Sequence, residues 1–466
     1  MQRARKVRLF SILTAFMIAG VFLLSSVSMA KNFMNKETSS YHPIIFIHGG
    51  SGSASQFESQ AMRFTSNGFP QEYLFAYEYD SSYEINTRDD ILAGLDEFVA
   101  EVIEKTGAEK VDIMGHSHGT TIMHDYLGRP EGPERADNIA HYVNIDGRTA
   151  SEPPAGVSTL AIWAGRGSPG REIVGAVNVT LENQTHIQSA TSPEAFYEMY
   201  KFLIGEPPQT TDVVAAPWGN IRLAGRAVLF PENIGVDGTT LKIYEISGYT
   251  GQRIRKKPEA VYEIDDSGNW GPFKAKVGQR YEFVLVREGS NHHFYKEPFI
   301  RSDYFIRLLT SPVGGGIARY MHYDDDQSNI VVLRDKEVWG DQGVENDILA
   351  INGVNVVNEA ICPISERISS IFVYDYEADN ESYLEAPIWL FTLPAFHFIT
   401  GVDLYLPATD PPEERIRLTL IPRGGNGMMQ VINIPNWPST TDRVSVQFND
   451  FVQSDVIPGY FGPFDK

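Results

Sequence analysis

The chain has 466 residues, a formal net charge of -21 and a single cysteine, Cys362. That length exceeds one ordinary hydrophobic core, so two or three domains are expected. The acidic balance disfavours nucleic acid and anionic membrane surfaces as partners, and one cysteine excludes both an intrachain disulfide and a cysteine-based metal cluster.

Taken from its start, the chain opens with Arg3, Arg5, Lys6 and Arg8 ahead of an almost wholly apolar run over 9–27, followed by Ser28-Met29-Ala30. A basic segment, an apolar stretch and small residues at the cleavage positions predict a secretory signal over 1–30, and hence an exported protein with no stable membrane insertion after cleavage. The first globular unit is expected over 31–206. A continuous apolar run over 42–47 reads as a strand buried on both faces; it ends in His48-Gly49-Gly50-Ser51-Gly52. A helix around 56–67, a strand around 73–79 and an amphipathic helix over about 89–105 follow. After a strand at 111–114 and a helix from 120 to 127, further strands are read at 140–145 and 157–164, with a closing helix at 192–204. Alternating strands and helices predict an α/β fold around an open, mainly parallel sheet. Pro207-Pro208-Gln209-Thr210-Thr211 reads as a linker. Beyond it, short alternating runs separated by turns predict two all-β modules of sandwich or barrel type, over 212–310 and 317–466.

The informative motif is Gly115-His116-Ser117-His118-Gly119, between the strand at 111–114 and the next helix. This is the G-x-S-x-G elbow, in which a sharp strand-to-helix turn exposes a serine hydroxyl; the flanking positions are glycine because a Cβ there would collide with neighbouring backbone. The loop after the first strand leaves backbone N–H groups free to face a ligand, as one half of an oxyanion hole, with the His118 N–H as the other. A nucleophilic serine needs a histidine base and a carboxylate to orient it, in the order Ser, acid, His. Between His141 and the linker there is one histidine, His186. For the acid, strand-terminal Asp146 is preferred, with Glu172 as the alternative. Asp112, on the elbow strand, is read as structural. The aromatic run His292-His293-Phe294-Tyr295, with Phe299, Tyr304 and Phe305, is read as packing rather than as a substrate-binding face.

The stretches HGGSGSASQFESQAMRF, VDIMGHSHGT, NIDGRTASEPPAGVSTLAIWA and NQTHIQSATSPEAFYEMYKFLIG resemble the α/β-hydrolase domain of secreted microbial lipases. The whole chain is similar to the Archaeoglobus-type carboxylesterase/lipase, which follows that domain with C-terminal β-barrel domains. The resemblance implies Ser117 as nucleophile, Asp146 rather than Glu172 as acid, His186 as base, and the N–H groups of Gly50 and His118 as oxyanion hole. Members of that family carry a lid-forming insertion before the elbow; here only residues 81–116 separate Asp80 from Ser117, so the lid is expected to be reduced or absent. His118 stands where lipases often have Met or Gln.

The expected activity is that of a secreted serine carboxylesterase or lipase acting on a neutral ester or lipid substrate, without cofactor or metal. A polyester depolymerase with the same triad is an alternative, and so is a surface-binding protein whose hydrolase core is only a scaffold. The β modules are expected to add apolar wall for long acyl chains, so truncation after about Pro208 is expected to leave hydrolysis of short esters intact.

Overall fold

The computed structural model describes residues 41–217, 219–340, 346–365, 367–393 and 396–452, so the expected signal over 1–30 lies outside the described residues. Strands β1 (Ile44–Ile47), β2 (Leu74–Tyr77), β3 (Val111–His116), β4 (Ile139–Ile145), β5 (Ser158–Ala164) and β6 (Val177–Leu181) form one sheet in the order β2-β1-β3-β4-β5-β6. Every neighbouring pair is parallel. β1 and β3 are buried throughout, as their near-continuous apolar runs require in a sheet covered on both faces.

The helices are α1 (Glu58–Ser66), α2 (Arg88–Thr106), α3 (His118–Gly128), α4 (Gly132–Ala136), α5 (Gln188–Thr191) and α6 (Pro193–Ile204). α2 starts at a capping box between Thr87 and Asp90 and ends at Gly107 in the left-handed region, which satisfies N–H and C=O groups its ends would otherwise leave open. One core layer joins Phe46, Phe57, Phe64 and Phe196 under α1 and α6; the other joins Ile45, Ile47, Leu95, Val99 and Ile122 under α2 and α3. The α/β-hydrolase architecture expected for the first unit is therefore observed. β6 has no counterpart in the elements read from sequence: Val177-Asn178-Val179-Thr180 is a largely exposed edge, so it lacks the apolar run of a covered strand.

The C-terminal region contains β7 (Asn220–Leu229), β8 (Ile234–Gly235), β9 (Thr239–Ile246), β10 (Ala260–Ile264), β11 (Asn269–Lys276), β12 (Arg280–Val286), β13 (Asn291–Lys296) and β14 (Asp303–Thr310). It continues with β15 (Ile330–Arg334), β16 (Ile348–Ile351), β17 (Val354–Asn355), β18 (Ser370–Tyr374), β19 (Ile399–Asp403), β20 (Arg415–Ile421), β21 (Gln430–Pro435) and β22 (Asp442–Phe448). β7, β8, β11 and β14 form one four-stranded sheet, and β16, β17, β20 and β21 another. The remaining eight strands make a single sheet, β10-β9-β12-β13-β22-β15-β18-β19. This sheet runs through both β segments, because β22 lies parallel between β13 and β15. The aromatic run on β13 is interior: His293 bridges Glu282 (2.8 Å) and Asp442 (2.7 Å) and stacks on Trp437 at 4.1 Å. At the same joint Glu297 is buried and accepts hydrogen bonds from Gln430 Nε2–H (2.6 Å) and the Asn449 N–H (2.7 Å).

The β region is also fastened to the α/β unit. Thr210 exchanges backbone hydrogen bonds with the Asn67 side-chain amide (2.8 and 3.1 Å), and Arg63 donates to the Thr211 carbonyl (2.9 Å), so the linker lies pinned along α1. Phe305 of β14 meets Phe46 edge-on at 5.6 Å inside the α/β core. Glu78, just past β2, is buried and pairs with Arg226 of β7 and Arg307 of β14, both at 2.8 Å. The buried ammonium of Lys296 meets Glu58 at 2.6 Å. Among the described residues no helix is long and apolar enough to cross a membrane.

These contacts argue against the α/β unit standing alone after truncation. A chain ending near Pro208 leaves Glu78 without its guanidinium partners and Phe46 without Phe305. A buried charge stripped of its partner costs about 3–5 kcal/mol. The fragment 31–208 is thus expected to show no cooperative thermal transition, by circular dichroism, under conditions where the full chain melts as a folded protein. A second outcome concerns the joint. Burial raises the Glu297 carboxyl to about 7, against the lowering influence of the Asn449 N–H, Arg280, Arg334 and Gln430. A carboxyl whose folded value exceeds its unfolded one favours the fold while protonated, so this contribution is lost as pH rises from about 4.5 to about 7. Glu297→Gln is expected to match the wild type in denaturant melts at pH 4.5 and to exceed it at pH 8, by up to about 3 kcal/mol.

Candidate active site

Ser117 sits between β3 and α3 at φ 52°, ψ -116°, outside the regions that L-residues ordinarily adopt. The neighbouring backbone holds it there. A Cβ on Gly115 would lie 2.9 Å from the Gly119 carbonyl group, and one on Gly119 would lie 2.5 Å from the Ile47 carbonyl oxygen. Only glycine lets strand, turn and helix approach this closely. The loop after β1 lies against the same turn: a Cβ on Gly49 would be 3.1 Å from Ser117 Cβ, and one on Gly50 would be 3.8 Å from His118 Cβ. The two residues whose N–H groups the sequence nominates, Gly50 and His118, therefore flank one turn.

Asp146 directly follows β4, at φ 44°. Its Oδ2 accepts from His186 Nδ1–H at 2.5 Å, and its Oδ1 accepts from the Ala164 N–H at 2.7 Å and from the Arg171 guanidinium. Burial resists ionisation of Asp146, but His186, the Ala164 N–H and Arg171 together hold its carboxyl at about 2. The carboxylate therefore stays ionised and fixes the ring tautomer, leaving the other ring nitrogen of His186 as a proton acceptor. Glu172 is not in this contact: the ring nitrogen that would recognise an acid is occupied by Asp146. Arg171 is a partner that the sequence reading misses. It stacks over Trp163 at 5.0 Å, a cation–aromatic contact with no local signature.

Two further groups hold the histidine loop. His116 Nε2–H donates to the His186 carbonyl at 2.9 Å. Burial, with His186 beside it, pushes His116 down to about 3, so it is a neutral donor at any ordinary pH. Thr185 Oγ1–H donates at 2.5 Å to Glu337 of the C-terminal β region, and Glu337 in turn pairs with Arg423 at 2.9 Å.

Comparison with known proteins gives family matches over separate parts of the chain. The class 2 lipase model matches residues 41–144, and the lipase C-terminal domain model matches 219–313. The chain thus matches a lipase family model over part of its α/β unit and a lipase C-terminal model over its first β segment. A further C-terminal domain model covers 316–452. Similar solved structures include a gene product of Listeria innocua (14% identity, TM-score 0.30, covering 37% of this chain and 97% of that one). The carboxylesterase CesB of Bacillus subtilis is another (14%, 0.27, 36% and 85%), as is the phospholipase PlaB of Legionella pneumophila (11%, 0.26, 58% and 93%).

In this hydrolase the stretch between Asp80 and Ser117 holds one long helix, α2, and one strand, β3. The segment at 81–87 is drawn tight by the Asp80 carboxylate, which accepts from the N–H groups of Ser82 (2.8 Å), Glu84 (2.7 Å) and Ile85 (2.9 Å). The stretch is thus taken up by a tight turn, α2 and β3. His118 makes polar contacts through its side chain. Its Nε2 meets Tyr83 Oη at 2.5 Å, and Arg88 joins that hydroxyl at 3.1 Å while also pairing with Asp125.

At the opposite end of the sheet His42, Asp112 and His141 converge. Register explains it: Asp112 and His141 pair across β3 and β4, and His42 precedes the Ile44 partner of Asp112 by two residues. His141 Nδ1 and Asp112 Oδ1 are 2.8 Å apart. That is a hydrogen bond, shorter than the roughly 3.3 Å between ligands of a tetrahedral ion, and it gives Asp112 the structural role read from sequence.

The elbow gives a direct test. Gly119→Ala places a methyl 2.5 Å from a β1 carbonyl oxygen, where no side chain can move aside. It is expected to abolish ester hydrolysis and lower the melting temperature, whereas Gly128→Ala, at a glycine with open space around it, is expected to change neither.

Proposed function

We propose that the protein is an exported serine carboxylesterase or lipase that cleaves neutral carboxylic esters through an acyl-enzyme. The observation that supports this reading most is the Asp146–His186 hydrogen bond of 2.5 Å, with the His186 ring 4.5 Å from that of His116, the residue before a serine held at φ 52°. Ser117 Oγ attacks the ester carbonyl carbon, and His186 Nε2 takes the hydroxyl proton. The carbonyl oxygen becomes an oxyanion and is met by the N–H groups of Gly50 and His118. Collapse of that intermediate expels the alcohol, which leaves with the proton from His186. Water then repeats the attack on the acyl-enzyme and regenerates Ser117. Asp146 stays ionised throughout and stabilises the imidazolium formed in each half. Each proton is carried by His186, so the residues account for the cycle by themselves.

The net charge of -21 favours esters without negative charge near the scissile bond. Export follows from the basic and apolar N-terminal pattern at 1–30.

With p-nitrophenyl butyrate as substrate, Ser117→Ala is expected to lower kcat by about 10⁴-fold or more, and Asp146→Asn by about 10²- to 10⁴-fold. Glu172→Gln is expected to stay within about twofold of the wild type. Retained activity in Ser117→Ala would overturn the serine mechanism, and a larger loss in Glu172→Gln than in Asp146→Asn would reassign the acid.

A further inference from the structure

The oxyanion loop is held by a residue from outside the α/β unit. Asn233 lies in the turn between β7 and β8, buried and at φ 58°, a left-handed conformation that asparagine tolerates. Its side-chain amide reaches three acceptors of the α/β unit: the Gly52 carbonyl at 2.9 Å, the Tyr79 carbonyl at 3.2 Å and His48 Nε2 at 3.3 Å. Its backbone carbonyl accepts from Arg226 at 3.1 Å, and Arg226 is anchored on buried Glu78.

The contact with His48 has a stereochemical consequence. His48 is buried and stacked on Tyr79 at 4.4 Å. Its Nε2 faces two groups that can only donate in this arrangement, the Asn233 amide and the Tyr79 N–H at 3.3 Å. Nε2 must therefore be the bare nitrogen, and the ring proton sits on Nδ1, which donates to the Gly49 carbonyl at 2.8 Å. Burial disfavours the imidazolium, which keeps that tautomer. The Gly49 carbonyl and the Gly50 N–H belong to one planar, trans peptide, so they point in opposite directions. Fixing the carbonyl fixes the N–H.

We propose that Asn233 is a positioning residue: by anchoring the His48 ring at Nε2 and holding the Gly52 carbonyl, it aims the Gly50 N–H at the developing oxyanion. This rests on the proposed reading in which the Gly50 N–H faces that oxygen. The first β module thereby contributes to the chemical step, in addition to whatever it contributes to substrate contact. Because a donor aimed in advance acts most strongly on the transition state, the signature lies in kcat rather than KM.

The test uses the full-length protein and p-nitrophenyl butyrate. Asn233→Gly keeps the left-handed turn and removes the amide; its kcat is expected to fall about 10- to 100-fold with KM within about threefold. Affinity for an aryl trifluoromethyl ketone, which adds to the serine and forms an oxyanion, is expected to fall in the same proportion as kcat/KM. An unchanged kcat, or a loss of kcat with unchanged ketone affinity, overturns the inference. His48→Phe keeps the stack on Tyr79 and releases the Gly49 carbonyl. It is expected to lower kcat as well, and the double variant to lose less than the product of the two single losses, since the contact between Asn233 and His48 is common to both. Additive losses overturn that coupling, and His48→Phe alone decides the matter if Asn233→Gly does not fold. Ser117→Ala separates the two failures: if it remains active, the serine mechanism is wrong; if it is dead while Asn233→Gly and His48→Phe are fully active, only the positioning role is wrong.

Discussion

A single buried carboxylate sets the terms on which the two halves of this molecule meet. Glu78 stands at the end of β2 with its side chain almost wholly out of water, where an unpaired charge is not tolerated. Burial opposes its ionisation, yet Arg307, Arg226 and the Ala54 N–H hold it at about 2. Those partners come from two strands of the β region and from the loop after β1. One charge therefore locks the edge of the catalytic sheet, the oxyanion loop and the first β module into a fixed arrangement. Breaking any member leaves the others charged and dry.

The same logic recurs at the opposite side of the site. Thr185, next to His186, rests on Glu337, and Glu337 is satisfied by Arg423, which also pairs with Asp347 at 2.5 Å. The loops at both ends of the Ser117–His186 constellation thus lean on the C-terminal region, one on each β segment. Part of the backbone strain of the described residues lies where these supports converge. Ser51, Ser117, Asp146 and Asn233 all have positive φ, a conformation that costs about 1–3 kcal/mol per residue. The surrounding hydrogen bonds are what make it sustainable.

Much of the catalytic unit is legible in the sequence because its signals are local. Gly115 and Gly119 flag the elbow by the collisions a side chain would suffer, and Asp146 is recognisable as strand-terminal from the apolar run before it. The positions of β1, α2, β3 and β5 follow from periodicity and buried apolar runs. Groups whose role depends on contacts far along the chain leave no such trace. Arg171 becomes a partner of Asp146 only when the loop after β5 folds back, and Asn233 reaches His48 across 185 residues. The pairing within the β region is hidden for the same reason. Turn-rich sequence at 311–316 coincides with the junction of two separate family models, but nothing local shows that β13 and β22 are neighbours in one sheet across it, with Asn291 paired to Asp442.

That pairing has a consequence for how the molecule comes into being. β22 is the last strand in the described chain and is also the central plank between β13 and β15. Until it arrives, the eight-stranded sheet exists as two open-edged pieces, each presenting unpaired N–H and C=O groups to its surroundings. A chain synthesised from its N-terminus has made Ser117, Asp146 and His186 well before its midpoint, but it closes the framework that steadies their loops only when Phe448 is in place. The sheet that joins the two β segments is therefore complete only once β22 is in place.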